Sequence, residues 1–241
     1  VGLGGDLDGV EVTVTGFEGA LSSQARIAEL TIADDQGVWL TLKDVTLNWS
    51  QSALLSGQIA ITELSAGEID LERMPAAEPA TTPAAAASAP LALPDLPVSI
   101  DIQGIAARRI VLGSSILGQA VEGSLTADAS LAGGEGAAHL NLLRSGDGPQ
   151  GHVTLAVSYA NASQVLGVSL DAAEDAGGIA ASLLGVPGAP ATSLKVEGSG
   201  PLADFAAKVD LATDGTTRLA GQVSLTDDAA GNRSFAADLA G

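Results

Sequence analysis

Along much of this chain every second residue is apolar, the two-residue period of a half-buried β-strand. Val10, Val12 and Val14 share one side of a first strand. Val38, Leu40 and Leu42 share one side of another, reached through a turn at Asp34-Asp35-Gln36-Gly37. At Lys43-Asp44 the parity slips, and Val45, Leu47 and Trp49 take over the apolar side. A one-residue slip turns every later side chain to the opposite face, so the pattern predicts a bulge or tight turn there. Ser52 to Leu55 predicts a helical turn, followed by Ile59 with Ile61 and Ile69 with Leu71 as two further short strands.

From Met74 to Pro97 the alternation stops: MPAAEPATTPAAAASAPLALPDLP holds six of the ten prolines. Each proline removes a backbone donor and biases the preceding residue towards extended geometry, which predicts an extended connector. Residues 1–73 then form a first strand group, 74–97 a Pro/Ala-rich linker and 98–241 a second, more regular strand group.

In the second group Val121, Leu125, Ala127, Ala129 and Leu131 alternate with Glu122, Ser124, Thr126, Asp128 and Ser130. The pattern recurs at Leu140 and Leu142; at Val153, Leu155, Val157 and Tyr159; and at Val168 and Leu170. It continues at Leu194 and Val196; at Phe205, Val209 and Leu211; at Leu219, Val223 and Leu225; and at Phe235 and Leu239. Gly- and Asp-rich turns separate these stretches, at Gly133-Gly134, Ser145 to Gly148, Asp214-Gly215 and Asp227 to Asn232, and their spacing suits a meander of hairpins. One short helix is predicted near 174–184, where an Ala- and Leu-rich run ends at Gly185 before Pro187. The expected fold class is all-β, with repeated antiparallel strands.

Composition sharpens this picture. Apolar residues make up 46% of the chain but aromatics only 2%, so the greasy face is smooth and aliphatic. With one short helix to cover it, that face predicts a sheet curled into a trough, a β-taco; an ordinary closed sandwich or barrel with a filled core is the competing architecture. Lining such a trough would be Val121, Leu125, Leu131, Leu140, Leu142, Val153, Leu155, Val157, Leu194, Val196, Phe205, Val209, Leu211, Leu219, Val223 and Leu225. Trp39 and Trp49 are expected either to close the end of the first strand group or to cap the trough there.

A formal net charge of −19 repels nucleic-acid backbones and anionic membrane surfaces. It also keeps a chain of mean hydropathy +0.32 dispersed in water. There is no cysteine. No apolar run reaches the roughly 18 residues of a spanning helix, and the chain begins at Val1, which predicts a fragment or processed form whose anchor or signal lies elsewhere.

Little in the sequence suggests catalysis. His139 and His152 sit on separate strands without a shared carboxylate, and read as surface residues. Asp6-Leu7-Asp8-Gly9 and Asp227 to Asn232 resemble calcium loops only superficially, since neither supplies the bidentate Glu, and both read as turns. Gly2-Leu3-Gly4-Gly5 lacks the spacing and preceding strand of a dinucleotide loop, and no serine sits in a Gly-x-Ser-x-Gly elbow. The expectation is a non-enzyme with no cofactor and no metal.

Particular segments resemble a known family. Gly16-Phe17-Glu18-Gly19-Ala20-Leu21-Ser22-Ser23, Leu30 to Leu40, Asn48-Trp49 and Ala53-Leu54-Leu55-Ser56-Gly57 are similar to the start of the periplasmic region of alphaproteobacterial TamB proteins. Glu68 to Pro75 resembles the exit from that family's first strand group. Gly198 to Phe205, leading into Leu219 to Leu225, resembles the repeat shared by TamB and AsmA-like proteins. The resemblance implies a periplasmic β-taco, tethered to the inner membrane by an N-terminal anchor outside this chain. Its implied partners are phospholipid acyl chains and, through a C-terminal region also outside this chain, an Omp85-type outer-membrane protein, TamA. Its implied roles are moving phospholipid towards the outer membrane and assembling outer-membrane β-barrel and autotransporter proteins. A structural or adhesin-like β-protein is the remaining expectation.

Overall fold

In the computed structural model, which describes residues 3–7, 10–19, 23–75, 92–94, 96–227 and 233–241, the alternating stretches are strands of a single sheet. In chain order they are β1 Leu3–Leu7, β2 Val10–Thr15, β3 Gln24–Asp34, β4 Gly37–Trp49, β5 Gln58–Leu71, β6 Ser99–Leu112 and β7 Val121–Ala132. There follow β8 Glu135–Ser145, β9 Gly151–Ala160, β10 Val165–Glu174, β11 Thr192–Pro201, β12 Asp204–Thr213, β13 Thr216–Asp227 and β14 Arg233–Ala240. Sheet order equals sequence order, with β1 and β14 as free edges. The sheet is strongly curled and does not close on itself. Fourteen strands measure about 60 Å across at roughly 4.8 Å per strand.

Three helical turns are described: α1 Gln51–Leu54, α2 Ser114–Leu117 and α3 Ile179–Leu183. The first matches the turn expected at Ser52 to Leu55. The helix expected near 174–184 is confined to α3, because Glu174 still pairs with Thr192 and Gly151 as the last residue of β10. The two short strands expected around Ile59 and Ile69 are one strand, β5. Their parity changes at Thr62-Glu63 and again at Gly67-Glu68, which is why the sequence shows two fragments.

These parity changes are stacked side by side. Ala28-Glu29, Lys43-Asp44, Gly67-Glu68 and Arg108-Arg109 each insert two successive residues between apolar ones. They separate Ile27 from Leu30, Leu42 from Val45, Ala66 from Ile69 and Ala107 from Ile110. Asp44 takes a left-handed conformation, φ 51°, which Asp tolerates better than most residues. Lined up, the bulges let the outer face carry the extra residues while the inner face stays apolar, which sharpens the local bend. Towards β7 the phase is restored by two register shifts within β6, after Ile102 and after Ala107. From β7 onwards the alternation is regular.

All neighbouring pairs are antiparallel except β5 and β6, which run parallel from Gln58↔Ser99 to Leu71↔Leu112. The antiparallel meander expected of the second strand group does not extend across this junction. A parallel neighbour demands that the chain return to the end where the previous strand began, and the Pro/Ala-rich stretch between them is long enough to do so. Both strand groups therefore share one sheet. Most of that stretch lies outside the described residues. At its far end Leu93 exchanges two hydrogen bonds with the Asn161 side chain, N to Oδ1 and Nδ2 to O, each 2.8 Å.

The outer face carries cross-strand ion pairs. Lys43 Nζ donates to Glu68 Oε1 at 2.7 Å, while Arg109 bridges Glu68 and Glu122. Lys195 pairs with Asp171 at 3.0 Å. Hydrogen bonding from Lys43, and then from Arg109, holds the Glu68 carboxyl below the usual carboxylate range. Since the folded value is the lower one, this contribution is complete above the ordinary Glu pKa of about 4.3 and is lost as pH falls through the depressed value.

Two outcomes are expected. In a Lys43→Met variant the Glu68 carboxyl should titrate at higher pH than in the parent, read by NMR; an unchanged titration would remove Lys43 as the cause. At Gly113, whose N–H donates to Leu71 O at 2.8 Å, a Cβ would come within 2.0 Å of the Glu72 carbonyl oxygen. Gly113→Val should therefore prise β5 from β6 and lower stability by about 1–3 kcal/mol in urea unfolding, as other overpacked sites do.

Candidate functional site: an open aliphatic trough

Register places every trough residue expected from the sequence on one face. Leu125, Leu142, Val153, Ala172, Leu194, Leu211 and Leu219 are successive cross-strand partners from β7 to β13. A second row runs Ala127, Leu140, Leu155, Leu170, Val196, Val209 and Gly221, and a third Ala129, Ala138, Val157, Val168, Gly198, Ala207 and Val223. Leu131, Gly136, Tyr159 and Leu166 form a fourth, with Phe205 opposite Leu225 further along. Val121 faces Leu112, and through it the face continues into Leu71, Leu40, Ile32 and Val12 of the first strand group.

This face is only half covered. Apart from Phe205, all the expected lining residues are intermediate in exposure, and no large side chain among the described residues is fully buried. A sandwich or filled barrel would bury such a face, so the filled-core alternative does not describe this sheet.

The two long rims differ. At the rim holding the β9–β10 and β11–β12 turns, Tyr159, Leu202, Phe205 and Ala207 are buried. The Phe205 ring lies over Gly198, where a Cβ would come within 2.8 Å of it, and Leu93 lies against Gly136. The opposite rim is polar. Two residues beyond Leu142 on the same face stands Arg144, and two beyond Ala172 stands Glu174; they form an ion pair whose side chains are only 7% and 9% exposed. Glu174 Oε2 also accepts a hydrogen bond from Ala180 N at 2.7 Å. Thr192 and Thr213 continue this row and are buried, Arg218 Nε donating to Thr213 Oγ1 at 2.6 Å. Along the same rim Arg73 holds Asp34, with 21% and 9% of their side chains exposed.

Helix α3 roofs this rim, its loop closed by Gly177 N donating to Ala189 O at 2.8 Å. Ile179, Leu183 and Leu184 face Leu142, Val153 and Leu194 across a cavity of about 340 Å³, with Arg144 and Glu174 in its wall. That volume lies within the range of small-molecule sites, about 300–1,000 Å³.

Sequence reasoning missed Arg144 and Glu174, although extending the parity of Leu142 and Ala172 by one step points to both. Trp39 and Trp49, expected to act together, stand at opposite ends of β4. Trp39 occupies a bulge with its indole Nε1 buried and unpartnered, whereas Trp49 pairs with Ile61. His139 and His152 lie on the outer face beside Asp128 at 2.8 Å and Asp171 at 3.4 Å. Asp227 pairs with Arg233; residues 228–232 and the loop residues Asp8 and Gly9 lie outside the described residues, as does Gly2. Among the described residues no cluster of acidic or histidine side chains could hold a metal ion, and no helix is long and apolar enough to cross a membrane.

Fold and site together define an open, curled β-sheet with one continuous aliphatic face. No known protein family, curated protein or solved structure matches the chain.

Removing one partner of the rim pair should be costly. Glu174→Ala leaves the Arg144 guanidinium buried and unpaired, and should lower stability by about 3–5 kcal/mol in denaturant unfolding. Arg144→Met combined with Glu174→Gln should lose much less; equal losses would show that the pair is not what holds the rim.

Proposed function

We propose that this chain is a segment of a lipid conduit of the TamB and AsmA-like kind, its trough shielding phospholipid acyl chains from water between two membranes. The observation that supports this most is the half-covered aliphatic face running unbroken from β2 to β13. Alkyl chains bind such a surface by the same area-proportional effect that buries Val and Leu, roughly 25 cal/mol per Å². A face about 50 Å long, at roughly 4.8 Å per strand, suits passage along the sheet better than capture of one small ligand. The scarcity of aromatics leaves it smooth, with few ring-shaped obstacles to sliding. The periplasm and tethering to an inner membrane belong to this same reading, and so does an Omp85-type partner engaged outside this chain. No step of catalysis is needed for it.

A second reading is favoured by one observation. Edge strand β14 has seven of its eight residues exposed, Phe235 at 68%, so its backbone is available to a client strand. That would make the chain an assembly scaffold for outer-membrane β-proteins.

Photocrosslinking residues at Leu155 and Val209, followed by mass spectrometry of adducts, distinguish the two. Lipid adducts at these inward positions are expected. Adducts to unfolded β-barrel protein at β14, with none to lipid inside, would replace the conduit with the scaffold. Val153→Arg, Leu155→Arg or Leu211→Arg should abolish lipid transfer between vesicles, whereas charges placed at the Asp214-Gly215 turn should not. Equal effects at both would count against a trough that carries lipid.

A further inference from the structure

We propose that the α3-roofed cavity binds the head end of an anionic amphiphile, its alkyl chain lying on Leu142, Val153 and Leu194 and its phosphate or carboxylate on Arg144. The proposal rests on the trough reading and adds a charge preference to it. Arg144 stands with its partner Glu174 in a mostly aliphatic wall, and only 7% of its side chain is exposed. Its Nη1 donates to Glu174 Oε1, which among the described residues leaves Nη2 and Nε, and thus most of the five donors of the guanidinium, for another acceptor. One guanidinium can serve two anions: on the outer face Arg109 gives Nη1 to Glu68 and Nη2 and Nε to Glu122. Arg144 has the first half of that arrangement and lacks the second.

The unused edge lies beside the turn between β8 and β9. Gly148, in the turn between β8 and β9, passes so close that a Cβ there would stand 3.2 Å from Nη2 and 4.0 Å from Nε. Gly148 carries no side chain, so only backbone stands beside this edge. The flanking positions in the same cross-strand row, Gly123 and Gly151, also lack side chains. Glu174 is held a second time by Ala180 N, so it keeps its place when Arg144 shares its charge. A cationic head would meet Glu174 already committed to Arg144 and Ala180 N, and a neutral head could accept from Arg144 only without the attraction between opposite charges.

The test uses alkyl probes of one chain length, dodecyl phosphate, dodecyl maltoside and dodecyltrimethylammonium, titrated below their critical micelle concentrations and read by calorimetry. Dodecyl phosphate should bind about tenfold tighter than either of the others, as one or two charge-assisted hydrogen bonds would give. Arg144→Met with Glu174→Gln, whose amide oxygen still accepts from Ala180 N, should bind all three alike. If that variant does not fold, Gly148→Val carries the same test, because it leaves both charges in place and sets a side chain against Nη2. Inorganic phosphate alone should not displace the dodecyl phosphate; displacement would overturn the claim that chain and head are held together. Equal affinities for the three probes in the parent, or a preference that survives both variants, would overturn the headgroup site and leave the trough standing. Failure of every probe to bind would sink both.

Discussion

Everything in this protein depends on keeping the phase of side-chain alternation constant across fourteen paired strands. Backbone pairing fixes which way each residue points, so a single uncorrected slip would drive Lys43, Glu68 or Arg109 into the trough and turn the leucines out to water. The chain slips repeatedly, yet the neighbours slip together. At Ala28, Asp44, Gly67 and Arg108 the extra residues sit in one row, and β6 absorbs the remaining offset through two register shifts before handing β7 a clean two-residue period. The cost of a bulge is thereby spread along a corner of the sheet instead of breaking its apolar face.

Among the described residues that face has no second sheet packed on it. Curling brings its own residues towards one another, and the small ones permit the closest approach: Ala66, Ala107 and Ala207 are among the few buried apolar residues, while the leucines and valines remain half covered. The outer face is held by charge, through pairs such as Lys43–Glu68–Arg109–Glu122 that cross four strands. Such exposed pairs contribute little individually, but a formal net charge of −19 keeps copies apart while their apolar faces remain uncovered. A ligand lying in the trough and binding only the folded sheet would add stability by mass action.

The trough is not symmetric. One rim is packed by Tyr159, Leu202 and Phe205, with Leu93 brought in by Asn161. The other carries the Arg144–Glu174 pair, two buried threonines and the α3 roof. An amphiphile laid along the strands would therefore meet an apolar rim at one end and a polar one at the other.

The alternation from Val121 to Leu225 was legible residue by residue, because a strand half in water must write its orientation into its sequence. So was the slip at Lys43-Asp44, since parity there contradicts a flat strand. Strand β6 left no such mark: its two bulges interrupt the period every few residues, and Ser99 to Leu112 reads as irregular until its neighbours supply the register. The parallel joining of β5 to β6 was likewise beyond the sequence, because local pattern says nothing about the end of a strand to which a long connector returns. Arg144 and Glu174 are in phase with the greasy face, but their meeting across β9 depends on register between strands thirty residues apart in the chain. The sequence by itself thus determined which side of each regular strand is apolar, through short-range periodicity. Which strands are neighbours, where the sheet bends and which charges are enclosed were decided only by tertiary structure, because each depends on pairing between segments that no local pattern connects.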